Sequence, residues 1–369
     1  MTAPDDLPAA TTSALRVAYT VEQCWHPVPG GTAVAALRVA AELERRPGVE
    51  VHLVAGRHAR LPRPEHRPAG AVAMLPLARP WLYETWVRAN WPKVESVIGE
   101  IDLAHATGLV PCATSAPLVV TVHDVAFLHD PEKFTRHGVR LMRRALAAIR
   151  SRADLVLCSS RATMADCVDY GLDVDRLRHV PLGVERRDVR AGDVRRVLRT
   201  HQLPEEFVLF VGTLEPRKNL LRLAQALDRL PDAPLLVVVG TAGWGEHDVL
   251  PSDRVRFLGF VPDGDLAPLY AACTVFAYPS EREGFGLPVA EALAQGAAVV
   301  TSRGTSTEEV AGGAAELVDP LDVDDIARGI ATALDRRVEL GARGRERAAE
   351  LTWAQTAEAT VAAYREVVA

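Results

Sequence analysis

The residues with the clearest chemical potential lie in one stretch, Glu283-Gly-Phe-Gly-Leu-Pro-Val-Ala-Glu291. Two carboxylates bracket a tight glycine loop. The loop follows a predicted strand, Thr274-Val-Phe-Ala-Tyr-Pro-Ser280, and opens a predicted helix whose first turn suits Pro288. Carboxylates accept hydrogen bonds from hydroxyls, and loop amides at a helix N-terminus face negative charge. The stretch therefore suits a polyhydroxylated, phosphorylated ligand. A glycosidase dyad needs its carboxylates facing each other about 5–10 Å apart. Here Glu283 precedes the helix and Glu291 lies about one turn inside it, so they serve two ends of one ligand. The plain alternative, a helix-start acid plus an exposed helical glutamate, leaves the glycines unexplained.

A second constellation is Val211-Gly-Thr-Leu-Glu-Pro-Arg-Lys-Asn-Leu220. Arg217 and Lys218 stand side by side just before a predicted helix, where cations oppose the macrodipole. A shared anion would resolve the conflict, and a departing diphosphate needs such compensation. The alternative is two solvated basic residues. Third, His26-Pro-Val-Pro-Gly-Gly-Thr32 leads from the first strand into the first helix. Gly30 and Gly31 permit close backbone approach to a phosphate, and Thr32 suits a helix cap. An ordinary strand–helix turn would read the same way. Fourth, His123 and Asp124 end the strand Val119-Val-Thr-Val122, next to the expected cleft. A lone histidine is also a common structural residue.

Asp-x-Asp triplets at Asp173–Asp175, Asp263–Asp265 and Asp322–Asp324 could hold a divalent ion. Their positions in a loop and ahead of helices fit turn and cap chemistry instead, so a metal-independent site is expected. The stretch Arg136–Arg152 is rich in arginine and carries Leu141, Met142, Leu146 and Ile149. It could lie on an anionic membrane surface, but it reads first as an amphipathic helix with one buried face.

These groups need a scaffold of ordinary size. The 369 residues suffice for two domains with real cores, since 48% are apolar. A net charge of -6 argues against a dedicated nucleic-acid binder. No apolar run reaches the roughly 18 residues of a membrane span. Residues 1–13 read as a floppy acidic tail, not a signal peptide. Five scattered cysteines fit reduced thiols in the cytosol. Of 42 basic residues only Lys93, Lys133 and Lys218 are lysine, so a lysine kept against that bias suits a role as a compact point charge, although chance explains any single one equally well.

Val/Leu-rich runs without polar alternation recur, as in parallel strands buried on both faces. In the first half they are Leu15–Tyr19, Val49–Ala55, Leu103–Ala106, Leu118–Val122, Leu155–Cys158 and Arg178–Pro181. In the second they are Val208–Gly212, Leu235–Val239, Val255–Leu258, Val275–Tyr278, Ala298–Thr301 and Ala315–Val318. Helical patterns at Thr32–Glu44, Arg136–Arg152, Leu220–Arg229, Pro288–Ala294 and Asp324–Leu334 alternate with them. The expected architecture is α/β, with two Rossmann-like doubly wound domains facing across a cleft. The domains are placed at 14–184 and 207–352, joined by a polar linker at 185–206 and followed by a helix at 353–369.

The conjunction of these segments resembles the retaining family 4 glycosyltransferases of the GT-B fold. It rests on Pro29-Gly-Gly31, Thr121-Val-His-Asp124, Val180-Pro-Leu-Gly-Val184, Val211–Leu220, Gly240–Gly245, Val255–Val261 and Tyr278–Pro320, with Glu283 and Glu291 as the Glu-x7-Glu signature. The resemblance implies that Arg217 and Lys218 hold a nucleotide diphosphate. Glu283 and the amides of Gly284, Phe285 and Gly286, beside Leu287, would hold the transferred sugar, and Glu291 the ribose. Arg256–Val261, including Phe260, would flank the base. Gly30 and Gly31 would approach the diphosphate, His123 would sit near the sugar, and helix 353–369 would cross back onto the first domain. Many members carry an arginine where this chain has Thr213; Arg217 is taken to supply that charge.

The implied reaction moves a hexose, mannosyltransferase-like, from a UDP- or GDP-linked donor to a glycan, glycolipid or small-molecule hydroxyl. No further cofactor is implied. The location implied is the bacterial cytoplasm, with peripheral contact at the inner membrane face as an option. Rival readings are an epimerase or phosphorylase on the same fold, or a non-catalytic nucleotide-sugar-binding subunit. Trp81, Trp86 and Trp91 suit either stacking on an acceptor or core packing.

Overall fold

A computed structural model describes residues 14–240 and 254–369 of the chain. The expected tail at 1–13 and the motif residues 241–245 lie outside the described residues.

Two parallel sheets divide the chain. The first contains β1 (Leu15–Thr20), β2 (Val49–Ala55), β3 (Val72–Met74), β4 (Leu103–Ala106), β5 (Leu118–Val122), β6 (Leu155–Cys158) and β7 (Leu177–His179), in the order β3-β2-β1-β4-β5-β6-β7. The second contains β8 (Phe207–Val211), β9 (Leu235–Val239), β10 (Val255–Gly259), β11 (Val275–Tyr278), β12 (Ala298–Ser302) and β13 (Glu316–Val318), in the order β10-β9-β8-β11-β12-β13. The central strands are buried along their whole length, β8, β11 and β12 among them. Helices cover both faces, which is why these strands carry no polar alternation.

Each sheet has one place where the strand order reverses. In the first it lies between β1 and β4, and in the second between β8 and β11. Open α/β sheets bind ligands at the carboxyl ends of the strands flanking such a point. Gly30 and Gly31 open the helix that follows β1, the Arg217–Lys218 loop follows β8, and the Glu283 loop follows β11.

Most predicted elements match within a residue or two, and helix Arg136–Arg152 matches at both ends. Thr135 caps it by accepting from the Gly138 amide. Four expectations change. The short edge strand β3 is additional. Thr32 is not a cap: helix Gly30–Glu44 begins two residues earlier, and the Thr32 hydroxyl donates to the Pro29 carbonyl at 3.0 Å. The polar segment 185–206 contains a helix, Ala191–Thr200, whose neighbour is helix Asp263–Ala272. Arg196 and His201 hold Asp265 at 2.6 and 3.1 Å. Of the aspartate triplets, Asp322 caps helix Val323–Asp335 and Asp173 closes a turn on Asp175, as expected. Asp263 and Asp265 instead lie inside a first helical turn.

The last helix, Trp353–Val368, packs against helix Gly30–Glu44 of the first sheet. Tyr364 meets buried His105 of β4 at 2.6 Å, and Thr356 donates to the Pro181 carbonyl at 2.8 Å. The two chain crossings touch where Val184 N donates to Leu351 O at 2.9 Å. A Cβ on Gly183 would lie 2.2 Å from the Trp353 nitrogen, so only glycine fits.

Candidate active site

The neighbouring strands β8 and β11 bring together groups 65 residues apart. After β8 the chain makes a short 3₁₀ turn at Pro216–Lys218. Asn219 then takes a left-handed conformation, φ 64°, before helix Leu220–Asp228 begins. This bend turns Lys218 inward, with a side chain 9% exposed. Its ammonium lies 2.6 Å from Glu283 Oε1 and donates to the Tyr278 hydroxyl at 2.6 Å. Arg217 lies 3.2 Å from Glu283 Oε2 and donates to Glu215 at 2.8 Å and to the Arg282 carbonyl at 3.0 Å. Tyr278 and Ser280 donate to Glu283 Oε1 at 2.9 and 2.7 Å. Thr213 donates to Glu215 at 2.6 Å.

The anion shared by Arg217 and Lys218 is thus supplied first by the protein. Burial opposes ionisation of Glu283, but Lys218 and Arg217 outweigh it and hold its carboxyl at about 2. Arg217 is also penalised by burial. Glu283, Glu215 and, from the first sheet's loops, Asp124 more than offset this and raise its pKa. Lys218 has its pKa lowered, by burial and by Arg217 beside it, against the pull of Glu283. Glu215, Tyr278 and Ser280 were not singled out from sequence as site residues. All three stand inside the Glu-Pro-Arg-Lys-Asn and Tyr-Pro-Ser segments, so the signal was present without its pairing.

Glu291 occupies a different environment. It lies within helix Leu287–Gln295 and accepts from the Tyr270 hydroxyl at 3.0 Å. Burial raises its carboxyl to about 7, with Arg187 and Arg38 pulling weakly the other way. Among the described residues the two glutamates share no hydrogen-bond partner.

The loop between them is pressed against the first sheet's loops. A Cβ on Gly284 would lie 2.2 Å from the His123 carbonyl oxygen. The hydroxyls of Ser159 and Thr163 each reach both the His123 and Gly284 carbonyls, at 3.0–3.3 Å. Gly286 has φ 104° and starts the helix, and a Cβ there would meet Thr307 at 2.7 Å. Across the cleft, a Cβ on Gly31 would sit 3.0 Å from Leu287. The loop that starts at Glu283 thus places Gly284 beside the His123 carbonyl and Leu287 beside Gly31. Burial lowers the pKa of His123, partly countered by Asp124.

Other expected contacts are less direct. Phe260 is exposed and Val261 buried in the turn after β10, while Arg256 is directed to the Gln202 carbonyl. Trp86 is core, its indole donating to Pro92 O at 3.0 Å, whereas Trp81 and Trp91 are exposed.

Comparison with known proteins shows the family. The Glycosyltransferase Family 4 model matches residues 29–187, and the Glycosyl transferases group 1 model matches 197–351. The O-antigen chain mannosyltransferase B of Escherichia coli is 35% identical over 67% of this chain and 70% of its own length. The chain belongs to the family 4 glycosyltransferases. The MMP alpha-(1->4)-mannosyltransferase of Mycolicibacterium hassiacum is 31% identical over 73% of this chain and 72% of its own. A serotype-specific mannosyltransferase of E. coli is 30% identical, but only 29% of its length is matched. Among solved structures, Anabaena HepE in complex with UDP and glucose aligns with a TM-score of 0.73 and 20% identity, over 95% of this glycosyltransferase and 100% of that chain. The fold is GT-B.

Proposed function

We propose that this glycosyltransferase moves a hexose, mannose in the first instance, from a nucleotide diphosphate to an acceptor hydroxyl with retention of anomeric configuration. The buried Arg217–Lys218–Glu283 cluster, on a loop whose Gly284 abuts the His123 backbone carbonyl, carries the proposal. Among the described residues nothing accepts from Arg217 Nη2, and Lys218 has a third proton beyond those given to Glu283 and Tyr278. These fixed donors suit the oxygens of a departing diphosphate, where preorganisation counts most.

Glu283 has Oε1 occupied by three donors, so it orients the cations and positions the loop amides. In the reaction the bond from the anomeric carbon to the phosphate oxygen breaks, its electron pair passing to that oxygen. The acceptor oxygen bonds the anomeric carbon on the same face, and its proton passes to the leaving phosphate oxygen. Glu291 holds the ribose hydroxyls. The mannosyl assignment draws on the two mannosyltransferase relatives, and the nucleotide donor on the UDP complex of the structural neighbour.

A thermal-shift panel of GDP-mannose, UDP-glucose and related donors tests the donor, because a ligand that binds the native state raises apparent stability. NMR of the product's anomeric proton tests retention. An inverted product overturns the mechanism. Donor binding without hydrolysis or transfer on any acceptor favours a non-catalytic subunit, and a new sugar from donor alone favours epimerisation.

A further inference from the structure

Two buried hydroxyls of the first half reach into the second. Ser159 and Thr163 stand where β6 passes into helix Arg161–Asp169, and they are only 1% and 2% exposed. They face two carbonyls, one from each half. Ser159 Oγ lies 3.1 Å from the His123 oxygen and 3.3 Å from the Gly284 oxygen, and Thr163 Oγ1 lies 3.0 and 3.2 Å from the same pair. A hydroxyl has one proton to give, so satisfying both carbonyls takes both hydroxyls. Ser160, the cap of that helix, donates to Thr163 Oγ1 at 3.0 Å, which leaves the Thr163 proton free for the carbonyls.

Fixing the Gly284 carbonyl fixes more than one atom. The Gly284–Phe285 peptide is trans and planar, so its N–H points opposite to its C=O. With glycine on one side, that plane turns over at little cost unless something holds it. Phe285 is buried, and among the described residues nothing accepts from its amide. A buried N–H without a protein partner is rare. Here it lies two residues after Glu283, on the side of the peptide turned away from Ser159 and Thr163.

We propose that Ser159 and Thr163 are positioning residues: they hold the Gly284–Phe285 peptide with its amide aimed at the transferred sugar. This role rests on the glycosyl transfer proposed for the site. Because the hydroxyls belong to the first half and Gly284 to the second, the amide is set only where the halves meet. The same helix strengthens that contact, since the Arg161 amide donates to Glu309 at 2.8 Å and Asp166 lies 3.6 Å from Arg282. The nucleotide end has no such dependence: Arg217, Lys218 and Glu291 all stand on the second half. Loss of the hydroxyls should therefore lower turnover and leave nucleotide affinity in place.

The test follows diphosphate release from GDP-mannose and UDP-glucose, and binding of free GDP and UDP by calorimetry, for the full chain and its Thr163→Val, Ser159→Ala and double variants. The double variant should lose about 10²-fold in kcat, the effect of a reacting group misplaced by about 1 Å, with unchanged affinity for the free diphosphate. Each single variant leaves one proton for two carbonyls and should fall in between. Thr163→Ser keeps the hydroxyl and should restore most of the turnover, which a role in packing alone does not predict. Selective ¹⁵N-phenylalanine labelling adds a readout apart from activity. The Phe285 amide, assigned by its loss in Phe285→Leu, should give one sharp signal in the wild type and a broadened or doubled one without the hydroxyls. Thr163→Val, nearly the same shape as threonine, carries these tests if the double variant does not fold. Wild-type turnover without the hydroxyls, a matching loss of free-diphosphate affinity, or no recovery in Thr163→Ser overturns the positioning role and leaves the donor reading standing. A wild type that binds neither nucleotide sugar overturns the donor reading and this role with it.

Discussion

Glu283→Gln isolates the charge at the centre of the cluster. Glutamine keeps the shape and an acceptor for Tyr278 and Ser280, but leaves Lys218 and Arg217 without their shared anion. The fall of the Glu283 carboxyl from 4.5 to about 2 corresponds to about 3 kcal/mol favouring the ionised native form. Removing one partner of a buried ion pair costs about 3–5 kcal/mol, so the two figures agree. For a unit the size of the second half, about 3 kcal/mol lowers the unfolding midpoint by roughly 6–12 °C. The pH dependence has a definite sign. A depressed carboxyl contributes its full stability above about 4.5 and loses it as pH falls toward 2. The gap between wild type and variant should therefore be wide at neutral pH and close in acid. Scanning calorimetry of wild type, Glu283→Gln, Lys218→Met and the double variant measures this. The double variant should recover more than about 1 kcal/mol of the summed losses. A midpoint drop under about 3 °C at neutral pH, or a gap that persists in acid, would refute the picture of a charge-compensated cluster.

Lys218→Ala should lower turnover by about 10²–10³ and also lower the melting temperature, because Lys218 is buried against Glu283; steady-state kinetics near wild type would remove its assigned role. Glu291→Gln should act in the opposite sense on stability. A carboxyl raised to about 7 destabilises the native state increasingly as pH rises from 4.5 through 7, so the variant should gain up to about 3 kcal/mol at alkaline pH and little near 4.5, while its nucleotide affinity by calorimetry falls. Gly284→Ala places a carbon 2.2 Å from the His123 carbonyl; the halves must separate locally, and transfer activity should fall more than about tenfold with each half still folded by circular dichroism.

Legibility in the sequence followed the range of the forces involved. Helix Arg136–Arg152 was readable to the residue because its apolar spacing is local. Strands β8, β11 and β12 announced themselves as unbroken apolar runs, since burial on both faces leaves no polar position. β3 did not: it has three residues at a sheet edge, half-buried or exposed, too short for any pattern. The candidate residues stood out as types, and the loops that carry them follow strands as expected. The pairing of Lys218 with Glu283 was not. It depends on β8 lying next to β11, a consequence of the crossover that no local pattern encodes. The same limit applied to the three tryptophans. Only tertiary packing separates Trp86, fully enclosed and bonded to Pro92, from Trp81 and Trp91 in solvent.

Two adjacent cations before a helix looked unfavourable in sequence because they oppose the macrodipole. The fold removes that conflict in two ways. The left-handed Asn219 separates Lys218 from the first helical turn, and the ammonium is taken up by Glu283 and Tyr278. Glu283 and Glu215 then balance Arg217 and Lys218, making the cluster formally neutral. A neutral cluster attracts a diphosphate less by net charge than by the direction of its remaining donors. Those donors stay in place because each cation is already fixed by two or more partners. The Glu283 carboxylate opposes the pull of burial toward neutral Lys218, an effect that needs no contact with a reacting atom. On this account the Glu283 loop and the Arg217–Lys218 loop form one device, and neither is interpretable from its own sequence without the other.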